Sequence, residues 1–363
     1  RRMVLSIYLA KVQSTSEEPP QETGLVYNSW FGRPHLEMTW WHLMHFAYWN
    51  KGEYLEKVLP WYERNFKNAK ALAQRQGLRG VRWQKMTDPD GGESPSSVGS
   101  FLLWQQPHII DMLHELSKRK PTSFQYKYHY LVEETALAME DLLSWDSLRN
   151  VYRLGPGFIP AQESLPFATT FNAPLELAYW YKGLRIAQEW RKAMGKRPNE
   201  KWAHILSHFP SLPEQAGIYQ ASAGYGDTYE NPKFISDHPA VVGAFGMVEP
   251  LPSTEPEKMR ATLRKIENVW NWESTWGWDY PLLAMTALRL KDSEKAVDFL
   301  LMPLQKNTYL KNGHNFQDKR LRLYMPGNGG LLTTLAWMAQ GQEGNTSFSG
   351  FPRNWKVKIE GFK

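Results

Sequence analysis

The sequence predicts an all-α protein folded as a closed (α/α)6 toroid of six helical hairpins. Three observations support this fold class. About twelve segments have helical periodicity, strand-like alternation is rare, and long connections alternate with short ones along the chain. The 363 residues are 42% hydrophobic and 14% aromatic, a composition typical of a globular protein rather than a disordered chain.

Apolar spacing, capping residues and proline positions set the predicted helix boundaries. The predicted helices span 2–14, 36–49, 53–76, 99–118, 123–144, 172–193, 198–208, 239–247, 255–270, 279–290, 292–302 and 328–340. The even-numbered members of this series look buried, and 36–49 is apolar around most of its surface. The segment 53–76 instead carries Lys, Arg and Glu on one face, as an outer helix does.

The connections ahead of the even-numbered helices are long and rich in Trp, Tyr, His, Gly, Pro and acids, whereas a link such as 50–52 is short. Short links join antiparallel neighbours, and long links with special residues usually carry function. The amino ends of the inner helices would therefore converge on one face of the ring. Their unpaired N–H groups suit ligands that are anionic or rich in hydroxyl groups.

The composition also excludes several kinds of chemistry. With no Cys, the chain has no disulfide, no thiol nucleophile and no cysteine-bound zinc. No nucleotide, zinc-protease or calcium motif occurs, so we expect no metal and no cofactor. The 43 Lys and Arg are scattered and no apolar run reaches about 20 residues, which predicts neither a nucleic-acid partner nor a membrane span. Carboxylate chemistry is what remains.

Glu163 is the strongest candidate for that chemistry. It follows a proline-rich, largely apolar segment at 155–160 that leads toward the helix 172–193. If Phe158 and Ile159 exclude water from its carboxyl group, the pKa of Glu163 rises, which suits a general acid. From spacing alone, a surface acid near the helix start is an equally good interpretation.

Other acids could share the site. Glu37 begins an inner helix, where it either interacts with the helix dipole or binds a ligand beside His35 and Trp41. Three acids of the late connections, each more typical of a structural role, could face Glu163 across the mouth of the ring. These candidate bases are Glu273, Asp279 and Asp318. Inverting glycoside hydrolysis needs two carboxyl groups roughly 6.5–9.5 Å apart.

Amides, basic groups and indole rings in the same connections are what a sugar pocket uses. Most of the 17 Trp should be core residues, but some are expected to stack on sugar rings. The candidate substrate-binding residues are His35, Glu37, Trp41, Arg82, Trp83, Lys85, Gln105, Gln106, His108, Asn172, Asp237, His238, Trp276, Trp278 and His314.

Several of these segments resemble the six-hairpin glycosidases, the (α/α)6-barrel catalytic domains that include glycoside hydrolase families 65 and 95. Residues 34–41 are similar to the segment that opens the barrel in α-1,2-fucosidases. Residues 159–163 resemble the general-acid segment of both families. Residues 236–239 resemble a sugar-contact segment of the fucosidases, and residues 325–329 resemble the fucosidase segment before the last inner helix. The resemblance implies a toroid that acts on glycosides, with Glu163 as its general acid.

Two departures from the fucosidase pattern affect the predicted base. Pro326 stands where the fucosidases carry the catalytic Asp, and His35 stands where they carry an asparagine that helps to activate water. The base must therefore come from elsewhere, and we expect Asp318 or Asp279, and then Glu273.

The leading hypothesis is an inverting, exo-acting glycoside hydrolase with an α-linked oligosaccharide as its partner. A disaccharide phosphorylase stays open, with Arg82, Lys85 and His314 holding phosphate. Two further alternatives stay open. One is a non-catalytic glycan-binding toroid, which Pro326 favours, and the other is a polysaccharide lyase that uses Tyr225.

Two predictions concern the whole chain. Residues 1–341 are expected to form the catalytic domain, and 342–363 an extension that begins a flanking β-domain, because 355–360 alternates like a strand. The sequon at 345–347 indicates a glycosylation acceptor. We expect a periplasmic or secreted protein and leave a cytoplasmic one open.

Overall fold

A computed structural model of the chain describes residues 1–96, 98–340 and 350–359. Its helices are α1 (Arg2–Ser14), α2 (Leu36–Tyr48), α3 (Gly52–Glu56), α4 (Leu59–Arg64), α5 (Phe66–Arg75), α6 (His108–Ser117), α7 (Pro121–Asp141), α8 (Pro174–Ala193), α9 (Glu200–Ser207), α10 (Pro256–Val269), α11 (Asp279–Arg289), α12 (Ser293–Leu301) and α13 (Met325–Gln340). Short 3-10 helices lie at Trp30–Gly32, Ala240–Ala244, Trp272–Ser274 and Gln305–Asn307. None of the helices in the described ranges is both long and apolar enough to cross a membrane.

The strands form three antiparallel two-stranded hairpins that decorate the connections. The pairs are β1 (Leu143–Asp146) with β2 (Val151–Leu154), β3 (Glu214–Gln215) with β4 (Ile218–Tyr219), and β5 (Thr308–Tyr309) with β6 (Asn315–Phe316). None of these pairs joins another into a larger sheet. The described part of the chain is therefore all-α in architecture, as predicted.

Six inner elements close into a ring. In chain order they are α2, α6, α8, the Ala240–Ala244 helix (called the 240–244 helix below), α11 and α13. Each contacts the next, and α13 contacts α2. Nearly every residue of α2 and α11 is buried, as are those of the 240–244 helix. The other helices pack around the outside, so the predicted toroid of six hairpins is confirmed.

Three predicted helices differ from the structure. The first turns predicted for 99–118 are absent, because Gln105 and Gln106 use their amides to bond backbone carbonyls and Pro107 precedes the true start at His108. Segment 53–76 breaks into α3, α4 and α5, and the first break lies just before Pro60, which has no N–H to continue a helix. The predicted helix 239–247 is a 3-10 helix.

The chain end also differs from expectation. Residues 355–359 form no strand, so the described part of the predicted 355–360 strand is wrong. Glu360 and the sequon at 345–347 lie outside the described residues, and the division into 1–341 and 342–363 stays a prediction.

Glycine lets the last inner helix approach the first. A Cβ at Gly329 in α13 would collide with the backbone carbonyl of Trp41 in α2, and one at Gly330 would press on the Trp41 ring and Pro281. Close backbone approach is therefore what closes the ring at α2 and α13.

Replacing Gly329 by Ala should lower the free energy of unfolding by about 1–3 kcal/mol, because a carbonyl of a packed helix cannot yield without separating α13 from α2. Urea unfolding measures the effect. Gly183→Ala is the matched control, since its Cβ would first meet the flexible end of Met139, at 2.8 Å. Ala is also the better helix former by about 1 kcal/mol. Equal losses in both variants would contradict the packing explanation.

Candidate active site

A pocket with an empty volume of about 540 Å³ opens where the amino ends of the inner elements meet. All six inner elements contribute to it, each from its first turn or from the connection ahead of it. The lining residues are Glu22, Trp30, Glu37, Met38, Lys85, Trp104, Ala161, Glu163, Asp237, His238, Trp276, Arg320 and Tyr324. The pocket lies where the pattern of long connections predicts a site.

Lys85 joins two of the pocket's carboxyl groups. Its Nζ lies 2.6 Å from Glu163 Oε1 and 3.3 Å from Glu37 Oε1. The backbone carbonyl of Lys85 accepts the N–H of Leu36, at 2.9 Å, and so satisfies an unpaired donor in the first turn of α2. The same residue therefore fixes the connection to the helix and places an ammonium group between two acids.

The charges of this group depend on burial and on one another. Burial raises the pKa of Glu37, and Lys85 opposes that rise. Burial alone would lower the pKa of Lys85, but Glu37 and Glu163 raise it well above its usual range. Lys85 is therefore a permanent cation beside two carboxyl groups of the pocket.

The surroundings of Glu163 differ from the prediction. Phe158 and Ile159 are buried in the core and do not enclose its carboxyl group, whose side chain is 32% exposed and paired with Lys85. The expected apolar enclosure is therefore wrong. The segment is instead anchored by Ala161, whose N–H donates to Glu176 Oε1 at 2.6 Å, and it presents Glu163 at the mouth of the pocket.

A second acidic group surrounds His238. Asp279, at the start of α11, is fully buried and accepts hydrogen bonds from His238 Nδ1 and from the N–H of Trp276, both at 2.8 Å. His238 Nε2 lies 3.6 Å from Asp237 Oδ1. Asp237 has φ 75°, a conformation that costs a non-glycine residue of order 1–3 kcal/mol and is typical of functional sites.

The imidazole of His238 takes its charge from these neighbours. Burial lowers its pKa, but Asp237 and Asp279 outweigh burial and raise the pKa to about 9. Burial raises the pKa of Asp237 to about 6, although His238 opposes the rise. At neutral pH the group is therefore an imidazolium between two carboxylates.

Six of the predicted residues line the pocket: Glu37, Lys85, Glu163, Asp237, His238 and Trp276. The other predicted substrate-binding residues lie outside it, where they support the loops and the core. They are His35, Trp41, Arg82, Trp83, Gln105, Gln106, His108, Asn172, Trp278 and His314.

Hydrogen bonds explain the second set. Arg82 is buried and donates to the carbonyl of Leu102 at 2.5 Å, while Gln106 donates to the carbonyl of Val81 at 2.7 Å. His108 bonds the carbonyl of Glu37 at 2.9 Å. These side chains satisfy buried backbone groups and are not free for a sugar.

The remaining members are held by backbone groups, by other side chains or by ring packing. Trp83 donates to Thr135 at 3.0 Å, Gln105 to the carbonyl of Leu102 at 2.8 Å, and Asn172 accepts the N–H of Leu154 at 2.9 Å. His314 bonds Gln13, His35 bonds the carbonyl of Arg33, and the Trp278 ring packs between Trp41 and Trp104.

None of the three acids predicted as bases lines the pocket. Asp318 accepts the N–H groups of Arg320 and Leu321, each at 2.8 Å, and so closes a turn. Asp279 orients His238, and Glu273 does not line the pocket. This arrangement gives the predicted base role no support at any of the three positions.

Sequence reasoning missed five pocket residues that bring charge or an aromatic ring: Glu22, Trp30, Trp104, Arg320 and Tyr324. Glu22 enters because its backbone carbonyl accepts the N–H of Met325, at 3.2 Å, at the start of α13. The Arg320 guanidinium lies 5.7 Å from the centre of the Trp30 ring. Within the described ranges, no group of three or more acids and histidines is placed to hold a metal ion.

The comparisons with known proteins bear on the fold. No protein-family model and no curated protein matches the chain. A candidate kojibiose phosphorylase from the human microbiome superposes with a TM-score of 0.69 and 11% identity over 90% of this chain, which spans 52% of that protein.

Two further solved structures cover nearly their full length. A glycosidase variant in complex with glucose has a TM-score of 0.63 and 10% identity, over 92% of this chain and 95% of that one. An α-amylase from Clostridium perfringens has a TM-score of 0.53 and 14% identity over the same shares. The chain therefore has the helical toroid fold of glycosidases and related phosphorylases, as predicted.

Replacing Lys85 by Met should destabilise the protein by up to about 3–5 kcal/mol above pH 8, because Glu37, whose pKa burial raises to about 8, would have to be charged without its cation or take up a proton. The loss should shrink as the pH falls below about 8, where Glu37 is protonated. Urea unfolding at two pH values measures this. Lys70→Met is the matched control, since its pair with Glu134 is at the surface and such pairs contribute at most about 1 kcal/mol.

The melting temperature should fall as the pH rises from about 6.5 to about 9. The pKa of His238 is higher in the folded protein, so its stabilisation is complete below about 6.5 and is lost as the pH passes about 9. Differential scanning calorimetry across this range should show a shallower slope for His238→Gln than for the partly exposed control His129→Gln. The same slope in both variants would refute this origin.

Proposed function

We propose that the protein is an inverting glycoside hydrolase that removes sugars from the ends of α-linked oligosaccharides, with Glu163 as its general acid. One observation carries the proposal: a single pocket at the amino ends of the six inner elements combines four carboxyl groups with indole rings. Carboxyl pairs are what glycoside hydrolysis uses, and indole faces are what sugar rings stack on.

The shape of the pocket supports action at a chain end. Trp104 lines it, and the Trp104 ring stacks on buried Trp278 at 5.4 Å between centroids. Trp278 in turn lies 4.8 Å from Trp41, so packed core continues beneath the pocket. A blind pocket accepts the terminal sugar of a chain, whereas a cleft open at both ends accepts its middle.

Glu163 fits the acid role by its access and by its partner. Of the two acids that contact Lys85, Glu163 is the one that reaches solvent: 32% of its side chain is exposed, against 5% of the Glu37 side chain. After the proton passes to the leaving oxygen, the Lys85 ammonium stabilises the new carboxylate. Charge that develops in the transition state then meets a cation already in place.

The other pocket groups have binding roles in this proposal. Glu37 and Asp237 accept hydrogen bonds from sugar hydroxyls, and His238 donates one. Trp30 and Trp276 supply stacking faces.

A disaccharide phosphorylase is the second candidate, because Lys85, His238 and Arg320 bring positive charge into the pocket. Of the three residues predicted to hold phosphate, however, only Lys85 lines the pocket, and its ammonium group already contacts the carboxyl groups of Glu37 and Glu163. Assays of α-linked disaccharides with and without phosphate separate the two functions, since a phosphorylase releases a sugar 1-phosphate. Tight oligosaccharide binding without turnover would instead indicate a glycan-binding toroid.

Glu163→Gln should lower kcat on an α-linked oligosaccharide by about 10²–10⁴-fold, because no group would protonate the leaving oxygen. On a glycosyl fluoride, whose leaving group needs no proton, the loss should be much smaller. Steady-state kinetics on both substrates measure this, with exposed Glu53→Gln as the control. Wild-type kcat on the oligosaccharide in Glu163→Gln would refute the assignment.

A further inference from the structure

We propose that Glu22 is the general base of this pocket, the group that holds and deprotonates the water that attacks the anomeric carbon. The inference rests on the proposed hydrolase function and deepens it. It assigns the catalytic partner of Glu163 to the connection between α1 and α2, a part of the chain in which the sequence shows no site.

The order of the ring places Glu22 opposite Glu163. Glu163 belongs to the connection ahead of α8, the third inner element, and Glu22 is held at the amino end of α13, the sixth. In a closed ring of six, the third and sixth members face each other across the centre. An inverting enzyme needs its two carboxyl groups on opposite faces of the sugar.

Two features of the local backbone hold Glu22 there. The carbonyl of Glu22 accepts the N–H of Met325 at 3.2 Å, and Gly24 turns the chain back with φ 66°. The helix α13 itself begins Met325-Pro-Gly-Asn328 and has no acid in its first turn. Glu22 thus brings a carboxyl group to an inner helix that lacks its own.

The carboxyl group of Glu22 is available to a water molecule in the pocket. The residue lines the pocket but is only 4% exposed. Among the described residues, neither its Oε2 nor the hydroxyl of Tyr324 makes a well-oriented hydrogen bond, although Trp30 and Tyr324 lie near enough to Glu22 to oppose the rise of its pKa. Buried polar atoms without partners are rare, and two that face one pocket can both bond the same water.

The other acids of the pocket fit the base role less well. Glu37 shares the Lys85 ammonium with Glu163 and so lies on the acid's side. Asp237 belongs to the fourth inner element, next to the third. Its segment is tied to that of Glu163 by the Gln162 amide, which donates to the carbonyl of Phe234 at 2.6 Å.

In the proposed step, Glu22 takes a proton from water as the water oxygen forms a bond to the anomeric carbon. At the same time the bond between the anomeric carbon and the leaving oxygen breaks, and Glu163 protonates the leaving oxygen. The products are two sugars, the new hemiacetal having inverted configuration, and the two carboxyl groups then exchange protons with solvent.

Burial raises the pKa of Glu22 to about 7, with Lys85 opposing and Glu163 adding to the rise. The wild-type kcat/KM should therefore fall on the acid side with an apparent pKa near 7.

The test compares two substrates across four variants. Glu22→Gln should lower kcat by about 10²–10⁴-fold on both an α-linked oligosaccharide and a glycosyl fluoride, since every leaving group needs an activated water. Glu163→Gln should lose activity mainly on the oligosaccharide. Glu17→Gln, an exposed acid of the same connection, should match wild type on both. Glu22→Asp keeps a carboxyl group and should retain more activity than Glu22→Gln.

The outcomes separate this inference from the proposed function. Two results together would overturn the base assignment and leave the hydrolase function intact. The first is turnover by the wild type with inversion, seen by NMR of the first product. The second is hydrolysis of the glycosyl fluoride by Glu22→Gln at a rate within about threefold of wild type. An acid limb near pH 7 that is unchanged in Glu22→Asp would also overturn it, whether or not Glu22→Gln folds. Absence of turnover by wild type on every glycoside would overturn the hydrolase itself, and the base with it.

Discussion

The contact on which the pocket depends is the one between Lys85 and its two acids. Four carboxyl groups face a volume from which much of the water is excluded, and like charges at such a site repel strongly. The ammonium group, 2.6 Å from Glu163 and 3.3 Å from Glu37, makes their proximity tolerable. Because the carbonyl of Lys85 also meets the first N–H of α2, the cation is located by the helix that carries one of its partners.

The environments of the four carboxyl groups differ although their chemistry is the same. Glu163 is partly exposed, Glu37 is buried against a cation, and Asp237 faces an imidazolium. Glu22 is buried, and one of its carboxyl oxygens makes no well-oriented hydrogen bond. Burial and neighbouring charge set proton affinity, so identical groups can take opposite parts in one reaction. The fold supplies this variety by bringing together acids from α2, from the connection ahead of α2, and from the connections ahead of α8 and of the 240–244 helix.

Much of the fold could be predicted from the sequence, because helix periodicity and the alternation of connections are local signals. The site was predicted less completely. Glu37 and Lys85 were found because they lie at helix starts or in unusual connections, but Arg82 and Gln106 lie in the same connections and bond buried backbone instead. A polar residue in a loop serves either purpose, and only three-dimensional contacts decide between them. Glu22 stands in a polar stretch and is buried by a contact with Met325, about 300 residues later in the chain, which no local pattern reveals.

The closure of α13 on α2 has a consequence for how the protein must form. The first and last inner helices pack through Gly329 and the Trp41 carbonyl, so the ring is complete only when segments from opposite ends of the chain have met. Such high contact order makes folding slow, and partly assembled rings would expose their apolar inner helices. A nascent chain thus keeps an open seam until the sixth hairpin of the ring is synthesised, and the pocket is not assembled before that moment.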